Sequence, residues 1–312
     1  MTATGSKTTK ILVAVLVAIF LLFTWLTRAN PLAAEDLPPH QPVAAAGERI
    51  FWAAGCASCH ATPVDGNRAK GDDKLKLGGG AELDTPFGLF RVPNISPHPD
   101  DGIGAWSMLE FVNAMQRGVS PQGRHYYPSF PYTSYARMPT EDVMDLKAYL
   151  DTLAPVTGAQ EDHQLIFPYS IRRGIGLWKR RYLGADPVFE IPDASDEFLA
   201  GRSLVEGAGH CGECHTPRDG FGGLDTRRWL AGAPNLEGEG RVPEITPAGK
   251  TISNWSEADI AYYLESGFTP DFDSVGGTMV AVQENLARLT PADRAAIAVY
   301  LKSLPANSPA AN

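Results

Sequence analysis

Apolar residues first occur as one uninterrupted block near the start of the chain. Residues 11–27 carry no charge, with Lys7 and Lys10 before them and Arg28 directly after them. The length is near the lower limit for crossing a bilayer and also fits the apolar part of a secretory signal. No clean A-x-A cleavage site follows, and Trp25 suits the membrane interface. The block therefore predicts an uncleaved membrane helix, with the N-terminus inside and the remaining chain exported.

Further along, apolar positions recur at helical spacing and are bounded by capping residues. Ser107 and Ser256 fit helix N-caps, and the helices that they open end near Gly118 and Gly267. Two final helices open at residues 140 and 290 and carry apolar residues at helical spacing. These residues are Val143, Leu146, Tyr149 and Leu150 in one helix, and Ile297, Tyr300 and Leu301 in the other. No segment shows sustained alternation of apolar and polar residues, so the fold is predicted to be mainly α.

The two sets of helices belong to an internal repeat. Four pairs of short segments match in the same order: residues 93–97 with 243–247, 102–107 with 251–256, 116–121 with 265–270, and 146–150 with 297–301. Because the order is kept over so long a stretch, we interpret the repeat as a duplication. We expect an anchor with a proline-containing tether, a first domain, a linker and a second domain. Their bounds are residues 1–43, 44–154, 155–195 and 196–312.

Each predicted domain contains the same five-residue motif, C-x-x-C-H, near its start. The first motif contains Cys56, Cys59 and His60, and the second motif contains Cys211, Cys214 and His215. Two thiols one helical turn apart can add to the two vinyl groups of a porphyrin, and the next histidine can bind its iron. The chain has 4 cysteines, all in these motifs. The sequence therefore predicts two covalently bound haem c groups, with His60 and His215 as iron ligands. We expect each final helix to cross the helix that leads into a motif.

Three other uses of paired cysteines fit the motifs less well. A zinc site made from two C-x-x-C pairs usually has the pairs tens of residues apart, whereas residues 59 and 211 are much more widely separated. A thioredoxin-like redox pair lies in a βαβ pattern, which surrounds neither motif. Two disulfides would suit an oxidising compartment, but they give no reason for a histidine after both pairs.

A methionine thioether on the other face of each iron would raise its potential and close it to substrates. In the second domain only Met279 follows the haem motif. In the first domain we favour Met138, because it lies in the loop just before the final helix, where a small cytochrome domain returns a ligand to the haem. The remaining candidates are methionines that suit core packing and histidines that suit the surface: Met108, Met115, Met144, His98 and His125.

Charge narrows the set of partners. The chain has a net charge of −9, and its first 28 residues contain lysine and arginine but no acidic residue. The exported part is therefore more acidic still, which argues against nucleic acid and against anionic lipid as the main partner. Residues 166–182 are the exception, because this linker segment is strongly basic. It fits either a helix that packs aromatic residues on both domains, or arginines that pair with haem propionates or a partner protein.

Several segments of the first domain resemble those of a known family. They are residues 77–80, 85–88, 93–97, 102–107 and 127–132. They are similar to the membrane-bound cytochrome c subunits of bacterial periplasmic dehydrogenases for alcohol, gluconate and sorbosone, and of some molybdenum-containing dehydrogenases. The resemblance implies two tandem class I cytochrome c folds with His/Met irons, in the bacterial inner membrane with the haem domains on the periplasmic side. Many members carry three haem motifs where this chain has two, and some have methionine where Phe130 stands.

The resemblance and the residues together predict a membrane-anchored electron carrier with no catalytic residues of its own. It is expected to take electrons from a periplasmic dehydrogenase or a quinol-side donor and to pass them toward a terminal acceptor. Its expected partner proteins are a periplasmic dehydrogenase, a terminal oxidase or both. One alternative is a dihaem enzyme, such as a peroxidase or a thiosulfate dehydrogenase. A peroxidase needs an open or displaceable iron position, and thiosulfate dehydrogenases typically use a cysteine ligand, for which no cysteine is left. A fixed cytochrome subunit of a terminal oxidase is a third interpretation.

Overall fold

The computed structural model describes residues 4–235 and 238–305, and most of its regular structure is helical. The helices up to the linker are α1 (Thr4–Leu26), α2 (Ala44–Ala53), α3 (Cys56–His60), α4 (Met108–Arg117), α5 (Tyr132–Tyr135), α6 (Thr140–Leu150) and α7 (Ile175–Tyr182). The later helices are α8 (Asp196–Arg202), α9 (Gly212–His215), α10 (Glu257–Ser266), α11 (Met279–Leu286) and α12 (Pro291–Ser303). Helix α8 continues directly into a π-helical segment, Ser203–Ala208. The prediction of a mainly helical fold is confirmed.

Short antiparallel strands accompany the helices. They are β1 (Glu82–Thr85), β2 (Gly88–Arg91), β3 (Gln164–Leu165), β4 (Ala233–Pro234) and β5 (Arg241–Val242). The first three form a sheet in the order β1-β2-β3, and β4 pairs with β5. Strands β1 and β2 form a hairpin in which Glu82 lies opposite Arg91 and Thr85 lies opposite Gly88. These strands are too short to show sustained alternation of apolar and polar residues, so the sequence pattern did not predict them.

Helix α1 is apolar from Ile11 onward, after a polar first part that contains Lys7 and Lys10. Its segment Lys7–Leu26 has a mean hydropathy of 2.4, and 0% of it is buried against the rest of the protein. The helix is therefore long and apolar enough to cross a membrane. A secretory signal near the N-terminus meets the same test of length and composition.

Each final helix crosses the helix that leads into a haem motif, as predicted. Helix α2 packs across α6, and α8 packs across α12. A Cβ atom on Gly47 would lie 1.9 Å from the carbonyl oxygen of Asp145, and one on Gly201 would lie 1.9 Å from that of Ala296. Because the two backbones touch at each crossing, both positions require glycine.

The capped helices that the sequence predicted are also present. At α4, the Ser107 hydroxyl accepts a hydrogen bond from the Glu110 backbone N–H, and the Ser107 N–H donates to the Glu110 carboxylate over 2.7 Å. At α10, Ser256 and Asp259 form the same capping box, in which the Ser256 N–H donates to the Asp259 carboxylate over 2.8 Å. Each box satisfies two backbone donors that the first turn of a helix leaves without partners.

The linker helix α7 packs on both halves of the protein, meaning residues 44–154 (the first half) and the described residues after 195 (the later half). The buried Lys179 ammonium donates to the carbonyl oxygens of Arg117 and Gly118, over 2.7 and 2.5 Å, at the end of α4. The Trp178 indole N–H donates to the carbonyl oxygen of Phe221, over 3.0 Å, in the later half. The linker helix therefore contacts both halves, as one interpretation of the basic segment predicted.

The two halves also contact each other directly. Arg49 of α2 forms an ion pair with Asp293 of α12 over 2.7 Å, and Lys74 pairs with Glu284 of α11 over 2.7 Å. Buried apolar residues from both halves belong to one hydrophobic cluster. The haem motifs are therefore held on a single packed body rather than on two loosely tethered ones.

Candidate functional site

Both C-x-x-C-H motifs fold as a helical turn directly after a longer helix. In the first motif, α3 spans the whole of Cys56–His60 and follows α2. In the second motif, α9 covers Gly212–His215 and follows the π-helical segment. The second cysteine of each motif, Cys59 or Cys214, is exposed, and none of the chain's cysteines forms a disulfide. The turn places each cysteine pair on one side of the helix, as attachment to a single porphyrin requires.

The histidines of the motifs are oriented by backbone carbonyl groups. The Nδ1 of His60 lies 2.9 Å from the carbonyl oxygen of Pro93, and the Nδ1 of His215 lies 2.8 Å from that of Pro243. Because a carbonyl oxygen only accepts hydrogen bonds, Nδ1 carries the proton and Nε2 keeps its lone pair. Burial lowers the pKa of both imidazoles and favours this neutral form. A neutral ring held through Nδ1 is the state that metal-binding histidines adopt.

The loops that supply these carbonyl groups are fixed in the same way in both halves. The Ile95 N–H donates to the Leu77 carbonyl oxygen over 3.0 Å, and the Ile245 N–H donates to the Leu230 carbonyl oxygen over 3.0 Å. These loops are the matching segments 93–97 and 243–247, in which the prolines had no predicted role. Their contribution is a backbone oxygen, so the only sequence signal was the repeated segment itself.

The residues at the motifs fit covalent haem better than the alternative of a zinc site. Each motif offers two sulfur atoms on one helical turn and one imidazole with a free Nε2. In residues 4–235 and 238–305, no group of three or more His, Cys, Asp or Glu side chains is arranged to hold a metal ion. The motifs thus provide attachment points and a single axial nitrogen, which is what a haem needs from this side.

The two methionines predicted to bind the irons on the face opposite the histidines differ in their surroundings. Met279 is the first residue of α11 and is half-buried against the hydrophobic cluster. Met138 is 4% exposed and packs at the boundary between the halves, since a Cβ on Gly207 would lie 2.8 Å from its Cγ. The carbonyl oxygen of Met138 accepts a hydrogen bond from the Gln116 amide over 2.9 Å. Ligation of iron by either methionine stays a prediction.

The other candidate ligands have separate structural roles. Met115 and Met144 are buried in α4 and α6, as expected for core packing. The Nδ1 of His98 accepts hydrogen bonds from backbone N–H groups of its own loop. The surface position expected for His125 is wrong: the side chain is buried, because its Nε2 bonds to the carbonyl oxygen of Thr27, directly after α1, over 2.9 Å.

Each haem motif is hydrogen-bonded to a helix of the other half. The Glu213 carboxylate, in the second motif, accepts from the hydroxyl groups of Thr133 and Ser134 in α5, over 3.2 and 3.1 Å. The Asn285 amide, in α11, donates to the Ser58 hydroxyl in the first motif over 2.7 Å. Ser58 and Glu213 occupy the same position of the two motifs. The contacts are therefore reciprocal, and they join the two motifs across one interface.

A buried carboxylate supports the segment that leads into the second motif. Glu206 is 1% exposed and accepts hydrogen bonds from the backbone N–H groups of Val188 and Phe189, over 2.6 and 3.0 Å. It also accepts from the Tyr300 hydroxyl over 2.5 Å, and that hydroxyl accepts from the Trp229 indole N–H over 3.1 Å. Burial, followed by the Glu206 charge, raises the pKa of Tyr300. The network ties the linker and α12 to the second motif.

The helical fold and the two motifs define a protein of the c-type cytochrome class, and comparison with known proteins agrees. The Cytochrome c family model matches residues 44–154. A diheme cytochrome c-type protein of Cereibacter sphaeroides is 53% identical over 90% of this chain and 93% of its own length. The chain therefore belongs to the cytochrome c family, as the resemblance predicted. Covalently bound haem, the cofactor predicted from the motifs, is confirmed by this membership.

Other relatives are subunits of dehydrogenases. The fructose dehydrogenase cytochrome subunit of Gluconobacter japonicus is 36% identical over 90% of this chain and 56% of its own length. The gluconate 2-dehydrogenase cytochrome c subunit of Pantoea cypripedii is 34% identical over 83% of this chain and 58% of its own length. The chain thus spans nearly all of the Cereibacter protein but little more than half of these dehydrogenase subunits.

Proposed function

We propose that this chain is a membrane-anchored electron carrier with two covalently bound haem c groups, one at each motif. The observation that carries this proposal is the matched pair of histidines, each held through Nδ1 by a proline carbonyl oxygen with Nε2 free for iron. The haems lie in two tandem class I cytochrome c domains, residues 44–154 and 196–312, with residues 155–195 as the linker. The likeness to a diheme cytochrome over almost the whole chain supports this arrangement.

Both irons are closed by methionine in this proposal. Met279 binds the second iron, and Met138 binds the first. A thioether ligand raises the potential of a haem and leaves no position for a substrate. The chain therefore passes electrons and does not transform substrates itself, although it works as part of an oxidoreductase system.

The donor in this proposal is a periplasmic dehydrogenase, because similar chains are cytochrome subunits of fructose, gluconate and alcohol dehydrogenases. The haem domains lie on the periplasmic side of the bacterial inner membrane, held there by α1. Electrons leave toward a terminal oxidase or another acceptor on the high-potential side of the chain.

Two measurements on the full-length protein test the carrier function. The intact mass of the denatured protein should exceed the mass of the polypeptide by two haems. A mass equal to that of the polypeptide alone would contradict covalent attachment. The reduced protein should then pass electrons to an oxidised acceptor without turning over peroxide or thiosulfate. Turnover of either compound at enzyme-like rates would overturn the carrier function and favour a dihaem enzyme.

A further inference from the structure

A polar cavity lies at the end of α1 that leads into the haem-bearing part of the chain. Its volume is about 560 Å³. Thr27, which directly follows α1, lines the cavity together with Arg124, His125, Arg172 and Arg173. The cavity therefore combines the end of the apolar helix, a turn of the first half and the basic linker.

Three guanidinium groups of this cavity lack acidic partners. In the described parts of the chain, Arg124, Arg172 and Arg173 form no ion pair, and Asp162 is the one acidic residue among those lining the cavity. In a protein with a net charge of −9, such a cluster is a local reversal of sign. A cavity with this charge fits an anionic ligand.

Two of these arginines are held in place by neutral partners. Arg173 donates from Nε to the Thr27 hydroxyl over 2.9 Å and from Nη2 to the Thr24 carbonyl oxygen over 2.7 Å. Arg172 donates to the carbonyl oxygen of His125 over 3.1 Å and lies over the Tyr127 ring at 4.5 Å. Because a guanidinium group has five N–H donors, each of these arginines keeps donors for a further oxygen ligand.

A buried imidazole supplies a second, independent indication of a ligand. His125 is 6% exposed and lines the cavity, and its Nε2 lies 2.9 Å from the Thr27 carbonyl oxygen. Its Nδ1 is buried without a hydrogen-bond partner in the described parts of the chain. Since Nε2 must donate to the carbonyl, the neutral ring presents Nδ1 as an acceptor. A ligand that carries a hydroxyl group would satisfy it.

Exposed large apolar side chains lie in the same linker segment as the cavity's Arg172 and Arg173. Beside the cavity, Ile166 is 54% exposed, Phe167 is 79% exposed and Ile171 is 50% exposed. At the end of α1, Arg28 and Arg180 lie over the Trp25 ring at 5.7 and 5.4 Å. Exposed apolar residues next to arginines and an interfacial tryptophan are typical of the boundary between lipid headgroups and acyl chains.

We propose that this cavity binds the headgroup of an anionic phospholipid of the outer leaflet, with its phosphodiester on the arginines and a headgroup hydroxyl on His125. The inference rests on the membrane attachment in the proposed function. It refines the expectation from net charge, which argued against anionic lipid as the main partner. The acidic surface as a whole repels such lipid, while the local guanidinium cluster at the helix end attracts it. One bound headgroup would fix the depth of the haem domains relative to the membrane.

Native mass spectrometry of the full-length, haem-loaded protein in detergent tests the site. With phosphatidylglycerol we expect one lipid bound per chain, and with phosphatidylcholine much weaker binding. Arg124→Gln and Arg172→Gln should each weaken phosphatidylglycerol binding roughly tenfold, because each removes a charge-assisted contact. Arg181→Gln is the matched control, since this linker arginine already pairs with Asp219 over 3.5 Å. Unchanged haem absorption shows that each variant is folded.

Two outcomes would overturn the lipid site. Equal affinity for both lipids would show that the arginines do not select an anion. Full competition by inorganic phosphate at equal concentration would show a simple phosphate site rather than a lipid site. Membrane attachment is checked separately by N-terminal sequencing of the mature protein. Loss of residues 1–34 would overturn the anchor, whereas lipid selectivity lost in a full-length chain would overturn only this site.

Discussion

The imidazole of His60 donates a hydrogen bond from Nδ1 to the carbonyl oxygen of Pro93, over 2.9 Å. The contact spans two segments that lie far apart in the sequence, and His215 and Pro243 repeat it over 2.8 Å. It fixes the ring angle and the tautomer, and both determine whether Nε2 can bind iron. The second half therefore repeats both the predicted iron ligand and the backbone oxygen that orients it.

Glu213 should lower the potential of the second haem. Its carboxylate lies within the second motif and pairs with Arg218 over 2.6 Å. Glu213→Gln removes a negative charge near the iron and leaves the Arg218 charge unbalanced, so the oxidised haem becomes less stable. We expect an increase in potential on the order of tens of millivolts, measured by optical redox titration. Glu161→Gln, at a carboxylate that is 79% exposed, is the control and should shift neither haem.

The glycines at the helix crossings should be intolerant of a methyl group. Gly47→Ala places Cβ 1.9 Å from a backbone oxygen, so α2 and α6 must move apart. We expect a loss of about 3 kcal/mol in the free energy of unfolding, measured by denaturant titration. Gly184→Ala is the control, because nothing lies within 4 Å of its added Cβ. Equal stability of the two variants would contradict the close packing.

Methionine ligation predicts a specific optical signature. A thioether bound to ferric haem gives a weak charge-transfer band near the red edge of the spectrum, and two such irons should both contribute. Met279→Ala should halve the band, and adding Met138→Ala should abolish it. Met144→Leu, in the buried part of α6, is the control and should preserve the band. If Met138→Ala leaves the spectrum and potential of the first haem unchanged, that assignment is wrong.

The account also predicts that the mature protein keeps its first residues. The segment Lys7–Leu26 is long and apolar enough to span a bilayer, and Arg173 and Arg180 donate to carbonyl oxygens near its end, over 2.7 Å each. These bonds satisfy groups that a helix end leaves without partners. N-terminal sequencing of protein purified from membranes should therefore start at or near residue 1. A start near residue 35 would show that α1 is a cleaved signal.

Local sequence signals predicted the motifs and the capped helices but not α5 or α11, because each of the predicted features depends on neighbouring residues. Ser107 and Ser256 indicated capped helices directly, and the spacing of Cys56 and Cys59 indicated one helical turn. Contacts between distant residues were not predictable in this way. The Thr133–Glu213 and Asn285–Ser58 bonds depend on how the halves pack, and no local pattern encodes that.

The contacts of the basic linker were also only partly predictable from the sequence. Its charge was evident from the sequence, and its packing on both halves was one of the interpretations considered. The sequence did not indicate that Arg173 and Arg180 bind the end of α1. That contact requires the apolar helix to meet a segment 146 to 154 residues away, which is more than the length of one predicted domain, so only the folded chain reveals it.

The binding of carbon monoxide by the fully reduced, full-length protein tests the central claim most directly. A carrier whose two irons are both closed by histidine and methionine has no position for this ligand, so the account predicts no change in the absorption of either haem. A carbon monoxide complex that forms readily at either haem would show an open iron and contradict the account.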